Sequence, residues 1–283
     1  MNIEIGLQLY SVRNELQRDY LKTLENIAAI GYKNLELISK VTDDGLQFSE
    51  DLHPGELRRQ LDRLGLKAVS CHVMPVEGMN WDKVIDTCVE IGVEAMVVPF
   101  AVFDDRQGVV SFCQGLNQAA ELCRKQAVQL YYHNHFQEFQ KFDGQLAMDI
   151  MLEQLDSDLV MFEFDSYWAI RGGQDPLAWL RKLGKRCDLL HQKDLPPGVQ
   201  PVNLFDLAVQ NPAVTMWDMF KVISKEQFAE IGTGVIPIAD ILEAGCTYGN
   251  ARYVFVEQDM TSLGEMESVA LSYQNLSRLV HGT

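Results

Sequence analysis

Tyr132-His133-Asn134-His135-Phe136-Gln137-Glu138, Phe162-Glu163-Phe164-Asp165, Leu190-His191-Gln192-Lys193-Asp194 and Val256-Glu257-Gln258-Asp259 are four stretches of one kind, each an apolar run that ends in carboxylates or imidazoles. In the second, strand alternation puts Glu163 and Asp165 on one face and both phenylalanines on the other. Four strands that end this way can aim their polar groups at one place only if they run parallel and side by side. Right-handed βαβ crossovers then bring every carboxyl end to the same face. Acids pointing into such a barrel need a cation or hydrogen-bond donors, since each unpaired buried ion costs several kcal/mol, roughly. A divalent-metal site is the expectation, and an internal salt-bridge network with Lys or Arg is the plainer alternative.

The rest of the chain fits that frame. Apolar runs at Ile3–Val12, Asn34–Leu37, Ala68–Val73, Ala95–Phe100, Val128–His133, Leu159–Asp165, Asp188–His191 and Tyr253–Glu257 make eight strand candidates. Most are too apolar for a sheet with one wet face, so a closed barrel is indicated. Between them, amphipathic stretches such as Tyr20–Ile30, Pro54–Leu64 and Trp81–Ile91 each stop at a glycine, Gly31, Gly65 and Gly92. Glycine is the residue favoured just beyond a helix C-terminus. The expected architecture is one (β/α)8 barrel domain over residues 1–283. A long irregular insertion at about 196–228 is marked by Pro196-Pro197-Gly198, Pro201 and Asn211-Pro212. On the active face it would carry substrate contacts or a lid; a small subdomain or a dimer contact is the alternative.

Composition narrows the function. A net charge of −16 without a Lys/Arg stripe argues against a nucleic-acid partner. No window approaches the eighteen apolar residues of a membrane helix, and the start Met1-Asn2-Ile3-Glu4-Ile5-Gly6 lacks a basic, apolar leader. A cytoplasmic protein is expected, acting on a small molecule, with a homo-oligomer left open. The six cysteines form no Cys-x-x-Cys pair and read as reduced core residues.

Single residues carry two readings each. His191 and Lys193 point the same way from one strand end; a lone imidazole there is usually structural, and Asp165 nearby adds weight to a ligand role. Glu257 faces the barrel mouth, with Asp259 placed to orient a neighbour or bind substrate. His133 and His135 share one strand face, while Asn134 on the other reads as structural. Glu36, His72 and Gln8 fall near strand ends, where a satisfied polar contact and a substrate contact are equally good readings. Trp168 can wall a sugar face or pack beneath a loop. A mixed set of carboxylates with an imidazole suits Mn²⁺ first, with Mg²⁺, Co²⁺ or Zn²⁺ as alternatives.

Taken together, His133-Asn134-His135-x-x-Glu138-Phe139, Phe162-Glu163-x-Asp165-x-Tyr167-Trp168, Leu189-Leu190-His191-x-Lys193-Asp194, Glu230-x-Gly232-x-Gly234-Val235-Ile236 and Val256-Glu257-Gln258-Asp259 resemble the xylose-isomerase-like TIM-barrel superfamily. That superfamily comprises sugar-phosphate isomerases and epimerases, includes inosose dehydratase, and is distantly related to endonuclease IV. The likeness runs from Gly6-Leu7-Gln8-Leu9-Tyr10 to Glu257-Gln258-Asp259. It implies one metal ion held by Glu138, Asp165, His191 and Glu257. His133 competes with Glu138 for the strand-five position, and Glu138 is preferred for its spacing from His-Asn-His. Six histidines are too few for a multi-zinc nuclease.

The chemistry so implied is proton transfer next to a sugar carbonyl, with Glu138 and Glu257 as the acid–base pair and Lys193 and His135 stabilising oxyanion charge or protonating a leaving group. Glu36, His72, His133, Trp168 and Asp259 are the expected substrate contacts. Isomerisation or epimerisation of a sugar or sugar phosphate is the first expectation. A lyase or dehydratase acting on a keto-sugar, keto-inositol or 3-keto-glycoside is the second, and a non-catalytic sugar-binding barrel the third.

Overall fold

The computed structural model describes residues 1–199, 203–211 and 213–282. Eight parallel strands close a barrel in chain order: β1 (Glu4–Gln8), β2 (Asn34–Ile38), β3 (Lys67–His72), β4 (Ala95–Val98), β5 (Gln129–His133), β6 (Val160–Asp165), β7 (Cys187–Gln192) and β8 (Tyr253–Val256). Strand β1 pairs with β2 on one side and β8 on the other, which seals the barrel and leaves no edge. The eight-stranded barrel inferred from the apolar runs is the architecture found.

Local chemistry sets the element ends. The helices Tyr20–Ile30, Pro54–Leu64 and Trp81–Ile91 stop at Gly31, Gly65 and Gly92, all with positive φ. Strands β1 and β4 stop well before their apolar runs do. Strand β1 ends at Gln8 because the Gln8 side-chain oxygen accepts the Tyr10 N–H at 2.7 Å, turning Leu9–Val12 into a 3-10 helix. Strand β4 ends at Val98 because Pro99 has no N–H for the ladder.

The barrel interior has an apolar floor and a polar top. Val69, Ala95, Val97, Tyr131, Leu189 and Phe255 fill the lower half. Gly6 makes room for this plug, since a Cβ there would lie 2.5 Å from the Phe255 ring. Phe162 and Phe164 face outward into the main core under the helices, fully buried, which turns Glu163 and Asp165 inward.

Beyond β7 the chain makes the short helices Asp206–Gln210 and Met216–Lys221 and the 3-10 turn Lys225–Gln227. Pro201 and Pro212, two of the expected breakers, lie outside the described residues. The segment is moored on Asp194, whose carboxylate accepts the N–H groups of Leu195, Gly232, Gly234 and Ile236 at 2.8–3.0 Å. A side chain on Gly234 would collide with that carboxylate, and Gly232 has a positive φ, so each position of the Gly-x-Gly pair favours glycine. No helix among the described residues is long and apolar enough to cross a membrane.

Candidate functional site

A cavity of about 470 Å³ opens at the carboxyl end of the barrel. Its polar lining includes His72, His135, Glu257 and Asp259, and aromatic walls come from Phe100, Trp168, Phe220 and Phe228. Phe220 and Phe228 belong to the segment after β7, so that segment closes one side of the cavity.

Beneath the cavity the strand ends form one polar network. The deeper half centres on Glu163 of β6. Its Oε2 lies 3.1 Å from His133 Nδ1, 3.2 Å from His72 Nε2 and 3.1 Å from His191 Nε2. Glu36 of β2 joins it, with Oε2 at 2.6 Å from His191 Nε2 and 3.0 Å from His72 Nε2. Gln8 and Ser70 donate to the same Glu36 carboxylate. His191 therefore spans two layers: its Nε2 faces Glu36 and Glu163, and its Nδ1 reaches Glu257 Oε2 at 2.9 Å.

The upper half holds Asp165, Glu257 and Lys193. The Lys193 ammonium lies 2.6 Å from Asp165 Oδ2, also contacts Glu257 Oε2, and stands 3.9 Å from Asp259 Oδ2. Asp165 is held by its neighbours as well: Oδ1 caps the helix that follows β6 by accepting the Trp168 N–H at 2.8 Å.

Two overlapping groups could hold a metal ion, with their ligand atoms within 4.8 Å of one another: His72, His133, Glu163 and His191 below, and His133, Asp165, His191 and Glu257 above. The upper group fits a divalent cation on three counts. It mixes two carboxylates with two imidazoles, a donor set that suits such ions. His133 Nε2 is buried with no hydrogen-bond partner. A cation, the Lys193 ammonium, is already drawn between its two carboxylates.

Electrostatics divide the imidazoles by role. Burial opposes charge on His191, yet the Glu163, Glu36 and Glu257 carboxylates outweigh it and hold the pKa well above the usual imidazole value. Burial likewise opposes His72, and Glu36 and Glu163 raise it to about 9. Burial pushes His133 well down, helped by the His191 charge, and takes His135 down to about 3, helped by Lys193. His133 and His135 are thus neutral rings, and His133 Nε2 is free to ligate. Burial lifts Asp259 to about 7 against the pull of Lys193.

The residues singled out in the sequence do not all meet. Asp165, His191 and Glu257 come together, and the β5 residue whose side chain lies with them is His133. Glu138 stands outside both groups: its Oε1 accepts the Tyr132 hydroxyl and its Oε2 accepts the His135 N–H at 2.9 Å. The reason is local, since the chain leaves β5 into the 3-10 turn Gln137–Phe139 and carries Glu138 away from the barrel axis toward Tyr132. Glu36 and His72, read as substrate contacts, are drawn into the network, though His72 also reaches the cavity. Trp168 lines the cavity, its ring stacked 5.3 Å from His135, and packs on Phe136 and Phe228. Glu163 is the central residue of the deeper half; sequence reasoning turned it inward with Asp165 as an acid in need of a partner but left it out of the ligand and substrate-contact sets. Its inward alternation with Asp165 was the available signal.

Comparison with known proteins places this geometry. A family model described as a xylose isomerase-like TIM barrel matches residues 24–244. The crystal structure of a sugar phosphate isomerase/epimerase from Parabacteroides distasonis superposes with a TM-score of 0.77 at 25% identity, covering 99% of this chain and 96% of that one. The IolI protein with a bound zinc atom shares the fold, with a TM-score of 0.69 at 15% identity and 99% of each chain covered. An inosose dehydratase from Geobacillus kaustophilus is 31% identical over 85 residues, a match spanning 30% of this chain and 27% of that relative.

Proposed function

Starting from the premise that the chain belongs to the xylose isomerase-like TIM-barrel family, we propose that it is a divalent-metal-dependent isomerase or epimerase of an uncharged keto-sugar. The observation that carries this reading is the buried set His133, Asp165, His191 and Glu257 directly below the cavity. These four residues, rather than a set that includes Glu138, would hold the ion, His191 giving up its extra proton as the ion takes over the balancing charge, with Mn²⁺ as the favoured metal. Such an ion polarises a carbonyl and its adjacent hydroxyl and so acidifies the neighbouring C–H.

The remaining work belongs to side chains. Glu257 lines the cavity, and its contacts with His191 and Lys193 both use Oε2, which leaves Oε1 for a substrate proton. His135, kept neutral by burial, lines the cavity as a neutral imidazole that can hydrogen-bond a substrate oxygen, and Trp168 offers a flat face to a sugar ring. Glu138 acts through His135, fixing its backbone from behind. We include in this proposal a single barrel domain whose segment at about 196–228 supplies substrate contacts.

An uncharged substrate is favoured by the cavity's cations. Among the described residues the cations lining it are Arg13 and the charged His72: the Arg13 guanidinium already donates to the Tyr10 and Asp259 carbonyl oxygens at 2.8 and 2.9 Å while stacking on the Tyr10 ring, and His72 is paired with Glu36 and Glu163. A phosphate placed beside Asp259 and Glu257 would meet two carboxylates, while both of these cations are already engaged by oxygens. Dehydration of a keto-inositol or related keto-sugar is the second reading, favoured by the stretch shared with an inosose dehydratase.

Solvent deuterium incorporation next to the carbonyl, measured on unphosphorylated and phosphorylated keto-sugars with bound Mn²⁺ counted separately, tests the proposal. Exchange on the unphosphorylated set, reduced about 10²–10⁴-fold in Glu257→Gln at unchanged metal content, is the expected result. Exchange that persists undiminished removes Glu257 as the base. An ultraviolet-absorbing enone product selects the lyase reading.

A further inference from the structure

Lys193 is a fully buried lysine whose ammonium occupies the ground between two members of the upper donor group, Asp165 and Glu257. A divalent ion that uses those same carboxylates and the ammonium cannot share that position, because two cations would then compete for the same oxygens at hydrogen-bond range. The ammonium needs another anionic partner within reach of its stem. Asp259 meets the requirement: its Oδ2 lies 3.9 Å from Lys193 Nζ and is buried without a hydrogen-bond partner. The Trp168 ring, 5.9 Å from Nζ, offers a face that a moving ammonium can follow. Asp259 lines the cavity and Lys193 does not, so the move carries the ammonium from beneath the site to its wall.

We propose that Lys193 has two seats and that the divalent ion selects between them: between Asp165 and Glu257 when the ion is absent, and on Asp259, facing the substrate, when it is present. The inference rests on the metal reading given above. The four-carbon stem of lysine has the flexibility to reach both seats, and its compact ammonium pairs with either carboxylate. In the first seat Lys193 keeps the empty site neutral. In the second it stands beside the cavity where negative charge develops on a substrate oxygen, so loading the metal and arming the ammonium become one event. By linkage, the ammonium in its first seat lowers the apparent affinity for the metal by the fraction of molecules in which the site is blocked.

The test is Mn²⁺ binding by the full-length protein after chelator treatment, followed by calorimetry, for wild type, Lys193→Met, Asp259→Asn and the double variant. Lys193→Met is expected to tighten Mn²⁺ binding about tenfold, and Asp259→Asn to weaken it by a similar factor, through loss of the second seat. In the Lys193→Met background Asp259→Asn should then change affinity by less than about threefold, since no ammonium remains to be reseated. An equal cost of Asp259→Asn in both backgrounds would mean that this carboxylate acts on the ion by charge alone, and the two-seat inference fails while the metal site stands. Looser binding in Lys193→Met fails it also. If neither wild type nor Lys193→Met takes up stoichiometric Mn²⁺, the metal reading itself falls, and the inference with it.

Should Lys193→Met not fold, wild type alone decides. Acylation of Lys193 by acetic anhydride, read by mass spectrometry, is expected to rise when Mn²⁺ is added, because the amine moves to the cavity wall. Equal labelling with and without Mn²⁺ overturns the proposal.

Discussion

Lys193 Nζ lies 2.6 Å from Asp165 Oδ2, and neither side chain is exposed. Asp165 ends β6 and Lys193 directly follows the adjacent β7, and the register of the two strands sets Asp165 beside His191, two residues before the lysine. A buried pair of this kind is held by the structure around it. It leaves a strong imbalance when one partner is removed.

In chelator, Lys193→Met should lose about 3–5 kcal/mol of stability, because Asp165 and Glu257 are left buried with one fewer cation. Urea unfolding at neutral pH measures it. Excess Mn²⁺ should restore part of the loss by binding the folded state alone. An unchanged midpoint in chelator would show that the pair contributes nothing to stability.

Stripping metal from the wild-type protein should abolish turnover without unfolding the barrel. Lys193 and the charged His191 remain among the carboxylates and keep the empty site balanced. Far-UV circular dichroism is expected to be unaltered in chelator, while substrate deuterium exchange disappears and returns when Mn²⁺ is added. Loss of the dichroism signal in parallel with the exchange would make the ion structural.

Glu138 predicts a pH dependence of stability. Burial raises its carboxyl from 4.5 to about 7 against the Tyr132 hydrogen bond. A carboxyl whose folded pKa exceeds its unfolded pKa stabilises fully below pH 4.5, and that contribution is lost as pH rises through 7. The change is on the order of 3 kcal/mol. Glu138→Gln can keep both hydrogen bonds, accepting from the His135 N–H and donating to the Tyr132 oxygen, yet it does not titrate. Relative to wild type it should gain stability by that amount between about pH 4.5 and pH 8, as denaturant midpoints across this range would reveal. A parallel pH profile for the two proteins would remove Glu138 as the titrating group, and loss of Mn²⁺ binding in Glu138→Gln would return it to the ligand set.

Gly6→Ala should destabilise the barrel floor. The new methyl group would meet the Phe255 ring at 2.5 Å, and overpacking of this kind typically costs about 1–3 kcal/mol. Thermal unfolding of Gly6→Ala and of Gly6→Ala/Phe255→Leu checks the cause, since the smaller ring-free side chain should recover most of the loss. A single variant as stable as wild type would mean that the Phe255 ring has room to turn.

The chain by itself determines the barrel and the end of it that matters. Runs too apolar for a half-wet sheet, glycines at the helix stops, and the alternation in Phe162-Glu163-Phe164-Asp165 are local signals, and local backbone sterics translate them into strands, turns and facing directions. They suffice to put carboxylates and imidazoles at one mouth. The tertiary structure alone decides which of them touch. Closure of the barrel brings Glu36 to His191 across 155 residues and Lys193 to Glu257 across 64. The 3-10 turn after β5 takes Glu138 out of the group and leaves His133 in it. Such pairings depend on strand stagger, on burial and on the competition of several charges for one low-dielectric space, and those are properties of the assembled barrel that no short stretch of sequence contains.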